Sequence, residues 1–305
     1  MKNRLKFLIV LLLILLGAVL SRIGQAAEPD LLIVTTIFPL TELTREITGG
    51  QDEVYQLIPT SAEVHDFQLR PSDLAKLRSA SLLIRIGSNL EPWLDRILNS
   101  LETKELVVIS FTEVIKKNSA YADHRTEDPH LWLDFEADQL LVKKITEVLA
   151  RLNPGRADSY RKNGQVLVEK LSWLDNQYQK NLASCQSSDL VIAGHQAFGY
   201  LAARYKLNQI ALTGRNPEAQ PTPRRWQEVI NLIRARQIKS IFYESSAPAE
   251  YAREIARETG TKLYRLSTGV NLSKDEIKQK KSFLSLMEEN LKILIEGLGC
   301  GQQAY

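Results

Sequence analysis

The sequence predicts an α/β fold of two lobes, each with a four-stranded parallel sheet flanked by helices, joined by one long backbone helix. Two observations predict it. Short β-branched and aliphatic runs alternate with helical patterns, four runs in each half of the chain, which is typical of parallel sheets covered on both faces. Between the halves, the chain from Gly155 to Ala183 has no proline and only one further glycine, and its apolar residues recur at helical spacing.

Each predicted strand is four to six residues long and is bounded by a turn or by the start of a helix. In the first half they are Leu31–Thr36, Glu53–Ile58, Ser81–Ile86 and Leu106–Ser110, and in the second half Leu190–Ala193, Ile210–Thr213, Ser240–Tyr243 and Lys262–Leu266. The helices predicted after the linking segment are Ala197–Tyr205, Pro223–Arg236, Pro248–Glu258 and a final helix from about Asp275 to Gly297.

The start of the chain has the pattern of a secretory signal. Basic residues precede the apolar run Phe7–Leu20, and small residues follow it before Glu28. The run is short against the about 20 residues that span a bilayer, so cleavage is favoured over an uncleaved N-terminal anchor. The predicted division is a signal peptide over 1–27, an N-terminal lobe over 28–154, the long linking helix over 155–184 and a C-terminal lobe over 185–305.

Export changes what the charge implies. Removing residues 1–27 lowers the basic count from 39 to 35, against 36 acidic residues. The mature chain is therefore near neutral, and its charge indicates neither a nucleic-acid partner nor an acidic one. Because no cysteine lies near the cleavage site, we expect that the protein is not a lipoprotein. After cleavage of the signal peptide we expect a periplasmic monomer that is not inserted in the membrane.

Two cysteines remain, Cys185 and Cys300. An oxidising compartment would allow them to pair, but the sequence leaves open whether they meet.

Three of the four histidines precede helices. His65 follows the second predicted strand, His130 precedes the helix Phe135–Leu152, and His195 follows the strand Leu190–Ala193. Open α/β sheets bind ligands outside the carboxyl ends of their strands, and neutral imidazole is a common zinc ligand. No local metal motif is present, so spacing alone leaves three separate structural histidines as the alternative.

A family resemblance favours a shared metal site over three separate structural histidines. Five segments of the chain, taken in order, carry this resemblance. They are "TTIFPLTELTREITGG", "VHDFQLRPSDLAKLRSASLLIRIGSNLEPWLDRIL", "DPHLWLD", "VIAGHQAFGYLAARYKL" and "IKSIFYESSAPAEYAREIARETGTKLYRL". Together they resemble the substrate-binding proteins of bacterial zinc and manganese ABC importers, the ZnuA/TroA-like family. The resemblance implies a metal in the cleft between two lobes, bound by His65, His130 and His195, and delivery of that metal to an ABC permease.

The resemblance fails at one position. The family commonly has an aspartate ligand after the last strand, where this chain has Leu266, and leucine cannot bind a metal. Water would complete the site, or another acid would reach it; Glu244 and Glu63 are the candidate fourth ligands. His124, in the polar loop before His130, is interpreted as part of a solvated connection.

Three histidines without the aspartate favour Zn²⁺ as the bound substrate over Mn²⁺, which prefers oxygen ligands. We therefore predict a binding protein and no enzyme. The alternatives are a manganese- or iron-binding member of the same class, a zinc hydrolase using three histidines and a bound water, and an adhesin.

Overall fold

The fold is the predicted α/β architecture with two four-stranded parallel sheets. The computed structural model describes residues 30–301 except 63, 65–66, 88–89, 102–104, 119–127, 216–218 and 245–248. The predicted signal peptide, His65, Glu63 and His124 lie outside these residues. The fold class predicted from the alternation of strands and helices is confirmed.

The first sheet has the strand order β2-β1-β3-β4, all parallel. Its strands are β1 (Leu32–Thr35), β2 (Glu53–Gln56), β3 (Leu82–Arg85) and β4 (Val107–Ser110). All four residues of β3 are buried, as expected of a central parallel strand covered on both faces.

The second sheet repeats this order as β6-β5-β7-β8, again all parallel. Its strands are β5 (Asp189–Ile192), β6 (Asn208–Ala211), β7 (Ser240–Glu244) and β8 (Lys262–Leu266). The chain runs from β5 outward to β6 and from β7 outward to β8, so the connections that follow these two neighbouring strands leave in opposite directions. A crevice therefore opens at the carboxyl ends of β5 and β7.

Helices connect the strands and cover both faces of each sheet. In chain order they are α1 (Phe38–Thr48), α2 (Pro71–Ser79), α3 (Pro92–Ser100), α4 (Phe111–Lys116), α5 (Phe135–Leu152), α6 (Ala157–Leu182), α7 (Gly199–Arg204), α8 (Pro223–Ala235), α9 (Glu250–Thr259), α10 (Lys274–Lys278) and α11 (Phe283–Gly297). Two short 3₁₀ turns, Leu131–Leu133 and Pro154–Arg156, precede α5 and α6.

The long helix α6 contacts both halves of the molecule. In its first half, Asn163 Nδ2 donates to the Ile47 carbonyl at the end of α1, at 3.1 Å. In its second half, the Tyr178 hydroxyl donates to the Met287 carbonyl of α11, at 2.6 Å. The helix therefore contacts helices of both halves, as expected of a segment that links them. The domain boundaries at 154 and 184 stay a prediction.

The prediction of one final helix is wrong, because the chain breaks it into α10 and α11. Lys280 takes a left-handed conformation with φ 51°, which an α-helix does not continue through. Ser282 then starts α11 by accepting from the Ser285 backbone N–H through its hydroxyl, at 3.2 Å.

One hydrophobic core joins the two halves. It includes residues of both sheets and of the helices between them, among them Ile33, Leu83, Leu171, Tyr178 and Phe242, each at most 1% exposed. A second, smaller cluster fills the outer side of the second sheet. Since the halves share packed side chains, their relative position is fixed by more than the linking helix.

Cys185 and Cys300 form a disulfide, which answers the question that the sequence left open. The bridge ties the segment before β5 to the segment after α11, and the Gln186 backbone N–H adds a bond to the Gly299 carbonyl at 3.2 Å. Within the described residues, no helix combines the length and the hydropathy that crossing a bilayer requires.

Candidate metal site

His130 is held at the start of a buried turn. Its backbone N–H donates to Asp128 Oδ1 at 3.1 Å, which is a side-chain-to-backbone turn that aspartate favours. The 3₁₀ turn Leu131–Leu133 follows, with all three side chains buried. Asp134 ends this turn and caps α5 by accepting from the Glu136 backbone N–H at 3.0 Å. The imidazole therefore leaves a backbone that is fixed on both sides.

The Asp128 carboxylate also orients the His130 ring. Nδ1 of His130 lies 2.7 Å from Asp128 Oδ1. An ionised carboxylate only accepts hydrogen bonds, so Nδ1 is the donor and Nε2 is the ring nitrogen that faces away from Asp128. This carboxylate–imidazole pairing is the usual support of a metal-binding histidine.

His195 has the same support from a different part of the fold. It lies in the loop after β5, and Nδ1 is 2.5 Å from Oε1 of Glu244, the last residue of β7. The two strands are neighbours, paired at Ile192 and Phe242. Gly194 permits this approach, because a Cβ at that position would lie only 3.2 Å from Glu244 Oε1.

The two imidazoles meet through their remaining nitrogens. Nε2 of His130 and Nε2 of His195 are 3.3 Å apart. Both residues are buried, His130 with 3% and His195 with 7% of its surface exposed. Two nitrogens bound to one tetrahedral Zn²⁺ at about 2.0–2.1 Å would stand about 3.3 Å apart. The separation of the two Nε2 atoms therefore matches the separation expected of two imidazole ligands of one zinc ion.

Aromatic side chains close the walls around the two histidines. The Trp132 ring packs against the His130 ring with centroids 5.3 Å apart, and its indole N–H donates to the Thr268 carbonyl at 2.7 Å. That bond runs from the segment before α5 to the loop after β8. Phe198 and Tyr200 of the segment after His195 are buried, and burial, followed by the Asp128 carboxylate, raises the pKa of the Tyr200 hydroxyl.

Leu266 lies beside Glu244 in the second sheet, as its register partner on β8, and it is 1% exposed. Among the residues that the structure describes, no three His, Cys, Asp or Glu side chains come together in an arrangement able to hold a metal ion. His65 and Glu63 lie outside those residues. The structure thus brings together His130 and His195, and it directs Glu244 to the Nδ1 side of His195.

Sequence reasoning missed the roles of two groups near this site. No role in orienting the His130 ring was predicted for Asp128, although an aspartate two residues before a histidine is a signal that could have indicated it. No role was predicted from the sequence for Arg204, at the end of α7. Its partners come from α5 and α6, so nothing near it in the sequence could have indicated its contacts.

The fold is a two-lobed α/β architecture that brings two imidazole nitrogens together between its halves. The model of the ZnuA family, described as zinc-uptake complex component A, periplasmic, matches residues 33–297. The chain belongs to this family, which confirms the resemblance read from the five segments.

Individual relatives agree with this assignment. The zinc-binding protein AdcA of Streptococcus pyogenes serotype M1 is 28% identical over 96% of this chain and 61% of its own length. The high-affinity zinc uptake system protein ZnuA of Bacillus subtilis is 29% identical over 87% of each chain. The crystal structure of the Zn(II)-bound ZnuA-like domain of Streptococcus pneumoniae AdcA superposes with a TM-score of 0.77 at 29% identity, covering 88% of this chain and 99% of that one. The chain spans about three-fifths of the AdcA proteins that it matches.

The expectation that the mature protein is not a lipoprotein is contradicted. A relative in Streptococcus pneumoniae serotype 4, 29% identical over 88% of this chain and 56% of its own length, is named zinc-binding lipoprotein AdcA. The expectation rested on the lack of a cysteine near the predicted cleavage site. The lack of one attachment residue was too little to exclude lipid attachment.

Proposed function

We propose that the protein is the substrate-binding component of a zinc importer, which captures one Zn²⁺ between its lobes and passes it to an ABC permease. The observation that supports this best is the 3.3 Å separation of the two Nε2 atoms, each on a ring whose Nδ1 faces a carboxylate. Membership of the zinc-uptake family supports the same cargo.

In this proposal His65, His130 and His195 bind the metal. The first comes from the resemblance, and the other two are supported by their facing nitrogens. Glu244 orients His195 and is not assigned as a ligand, since its carboxylate faces Nδ1 at 2.5 Å. Water is the proposed fourth ligand, and Glu63 stays a candidate for that position.

Zinc is proposed over manganese because imidazole suits zinc, while manganese prefers carboxylate and water. Leu266 supplies no oxygen at the position where the family commonly has aspartate. A protein of this kind binds and releases its cargo without covalent chemistry, so we propose no enzymatic activity. Hydrolysis of a model ester by the zinc-loaded protein, abolished in His195→Ala, would support the hydrolase alternative instead.

Calorimetric titration of metal into the purified apo protein tests the proposal. Wild type should take up one Zn²⁺ per chain and bind Mn²⁺ much more weakly. His65→Ala, His130→Ala and His195→Ala should each lose most of the zinc affinity, while His124→Ala should bind as wild type does. Wild-type protein that takes up no zinc, or three site variants that all bind like wild type, would refute the assignment.

A further inference from the structure

Arg204 lies where the helices α5, α6 and α7 meet. It is the last residue of α7, the helix that follows the His195 loop, and its side chain is 15% exposed. Its guanidinium contacts carboxylates on α5 and α6 as well as the capping residue of α5. One side chain therefore connects the second lobe, the linking helix and the first lobe.

The contact with α6 is bidentate. Arg204 Nε lies 2.5 Å from Asp175 Oδ1, and Nη2 lies 2.6 Å from Asp175 Oδ2. The Tyr205 hydroxyl donates to the same Oδ1 at 2.7 Å. Two parallel charge-assisted bonds and a third donor fix the angle between α7 and α6, because the guanidinium and the carboxylate must lie in nearly one plane.

The remaining nitrogen of the guanidinium reaches the first lobe. Nη1 lies 2.6 Å from Glu136 Oε2 and 3.6 Å from Asp134 Oδ1. Asp134 is also the residue whose backbone N–H closes the turn after His130, by donating to the Leu131 carbonyl at 3.0 Å. Arg204 is thus connected to the segment that carries His130 and to the segment that carries His195.

We propose that the cluster of Arg204, Asp134, Glu136, Asp175 and Tyr205 is an interlobe clasp that sets the separation of His130 and His195 and so tunes metal affinity. Arg204 would act as a positioning residue, since it acts through the two loops and does not touch the metal. This inference rests on the proposed zinc-binding function, although the clasp itself can be measured without metal.

Removal of the guanidinium should open this region. Asp134 and Asp175 have side chains only 5% and 10% exposed, and without Arg204 they would lie near each other with their main cation lost. A buried carboxylate that loses its partner is strongly unfavourable, so the helices would separate to admit water. Separation of α7 from α5 would increase the distance between the histidines.

Two glutamates provide a matched comparison. Glu136 pairs with Arg204 between α5 and α7 at 2.6 Å, and Glu46 pairs with Lys170 between α1 and α6 at 2.7 Å. Both glutamate side chains are 49% exposed. Glu136→Gln and Glu46→Gln therefore remove equivalent ion pairs, but only the first belongs to the clasp.

The experiment measures two properties of wild type, Arg204→Gln, Glu136→Gln and Glu46→Gln. The first is zinc affinity, by competition with a chromogenic chelator. The second is the exchange rate of the Trp132 indole N–H in the apo protein, by NMR, because that proton bridges the lobes to the Thr268 carbonyl. We expect zinc affinity to fall about tenfold in Arg204→Gln and severalfold in Glu136→Gln, the lower end of the range for groups behind metal ligands. In both variants the indole proton should exchange faster, and Glu46→Gln should match wild type.

If Glu136→Gln matched Glu46→Gln in both measurements, the clasp would be refuted, and this comparison decides the matter even if Arg204→Gln does not fold. A wild type that binds no zinc but shows faster indole exchange in Glu136→Gln would refute the proposed function and support the clasp. A wild type that binds zinc, with Glu136→Gln like wild type in affinity and exchange, would support the function and refute the clasp.

Discussion

Single residues decide how the two imidazoles face each other. His130 and His195 come from different lobes, and each presents Nε2 because a carboxylate accepts a hydrogen bond from its Nδ1–H. A neutral, oriented imidazole is a better metal ligand than one that must lose a proton or rotate first. Asp128 and Glu244 therefore hold the two rings with their Nε2 atoms facing each other.

We expect Asp128→Asn and Glu244→Gln each to weaken zinc binding by about tenfold or more, because both changes keep the shape but remove the charge behind the ring. Competition titration against a chelator measures the loss. Asp52→Asn is the control, since the Asp52 side chain is also a buried carboxylate and accepts from the Tyr160 hydroxyl at 2.8 Å, without orienting His130 or His195. Equal zinc affinity in all three variants would contradict the orienting role.

A second residue-scale prediction concerns Asp138, which is fully buried in the first turns of α5. Both of its carboxylate oxygens lack a hydrogen-bond partner among the described residues. Burial, followed by the nearby Asp134 carboxylate, raises the pKa of Asp138 well above its ordinary value. The folded protein therefore holds this proton to higher pH than the unfolded chain does, and stability falls as pH rises through the interval between the two pKa values.

Asp138→Asn removes this contribution and keeps the shape of the side chain. We expect the free energy of unfolding of the variant, relative to wild type, to increase from pH 5 to pH 8. Urea denaturation at both pH values measures the difference, in which contributions from other titrating groups cancel. A difference that does not change with pH would show that Asp138 is ionised in the folded protein.

The sequence reveals these residues unequally. His130 and Asp128 are two positions apart, so their pairing is a local property that a reader of the sequence could propose. Glu244 meets His195 only because β5 and β7 are adjacent strands, and that adjacency is a property of the sheet order. The same reason hides Arg204, whose carboxylate partners lie on two other helices.

Strands and helices are easier to predict than these contacts, because hydrophobic periodicity can be read from a short stretch of sequence. All eight strands were expected within two residues of their observed bounds at either end. The final helix was the exception. Its apolar pattern continued past residue 280, but the left-handed Lys280 and the capping Ser282 stop one helix and start another.

The close contact of α5 and α6 provides the prediction at this scale. A Cβ at Gly164 of α6 would collide with the Thr146 side chain of α5, its Cγ2 lying 3.1 Å away. Gly164→Ala should therefore destabilise the protein by about 1–3 kcal/mol through overpacking, even though alanine favours helices. Chemical denaturation measures this change.

The double variant Gly164→Ala, Thr146→Ala distinguishes a steric cause from a backbone one. Removing the Thr146 hydroxyl and methyl group makes room for the new Cβ, so the double variant should be more stable than Gly164→Ala alone. If the loss of unfolding free energy in the double variant equalled the sum of the losses in Gly164→Ala and Thr146→Ala, the helices would not meet as closely as described.

On the scale of the whole molecule, the disulfide and His195 lie at opposite ends of the second sheet. Cys185 precedes β5, whereas His195 follows it. The sulfurs are 115 residues apart in sequence, so the bridge removes a large amount of chain freedom from the unfolded state. We expect the Cys185→Ala, Cys300→Ala variant to lose about 4–5 kcal/mol of unfolding free energy.

Because of that separation, zinc affinity should be unchanged in the disulfide-free variant under conditions where it remains folded. Denaturation with and without reductant measures the stability of wild type, and metal titration measures the affinity of both proteins. A large loss of zinc binding in the folded variant would show that the two ends of the sheet are coupled.

The central claim is that one zinc ion binds between Nε2 of His130 and Nε2 of His195, with His65 as the third ligand. Anomalous diffraction at the zinc edge, from crystals of the zinc-loaded protein, tests it most directly. We predict a single strong peak at about 2.0–2.1 Å from each of the three imidazole nitrogens. A peak elsewhere, or one bound by Asp128 or Glu244 oxygens with the two Nε2 atoms turned away, would contradict the claim.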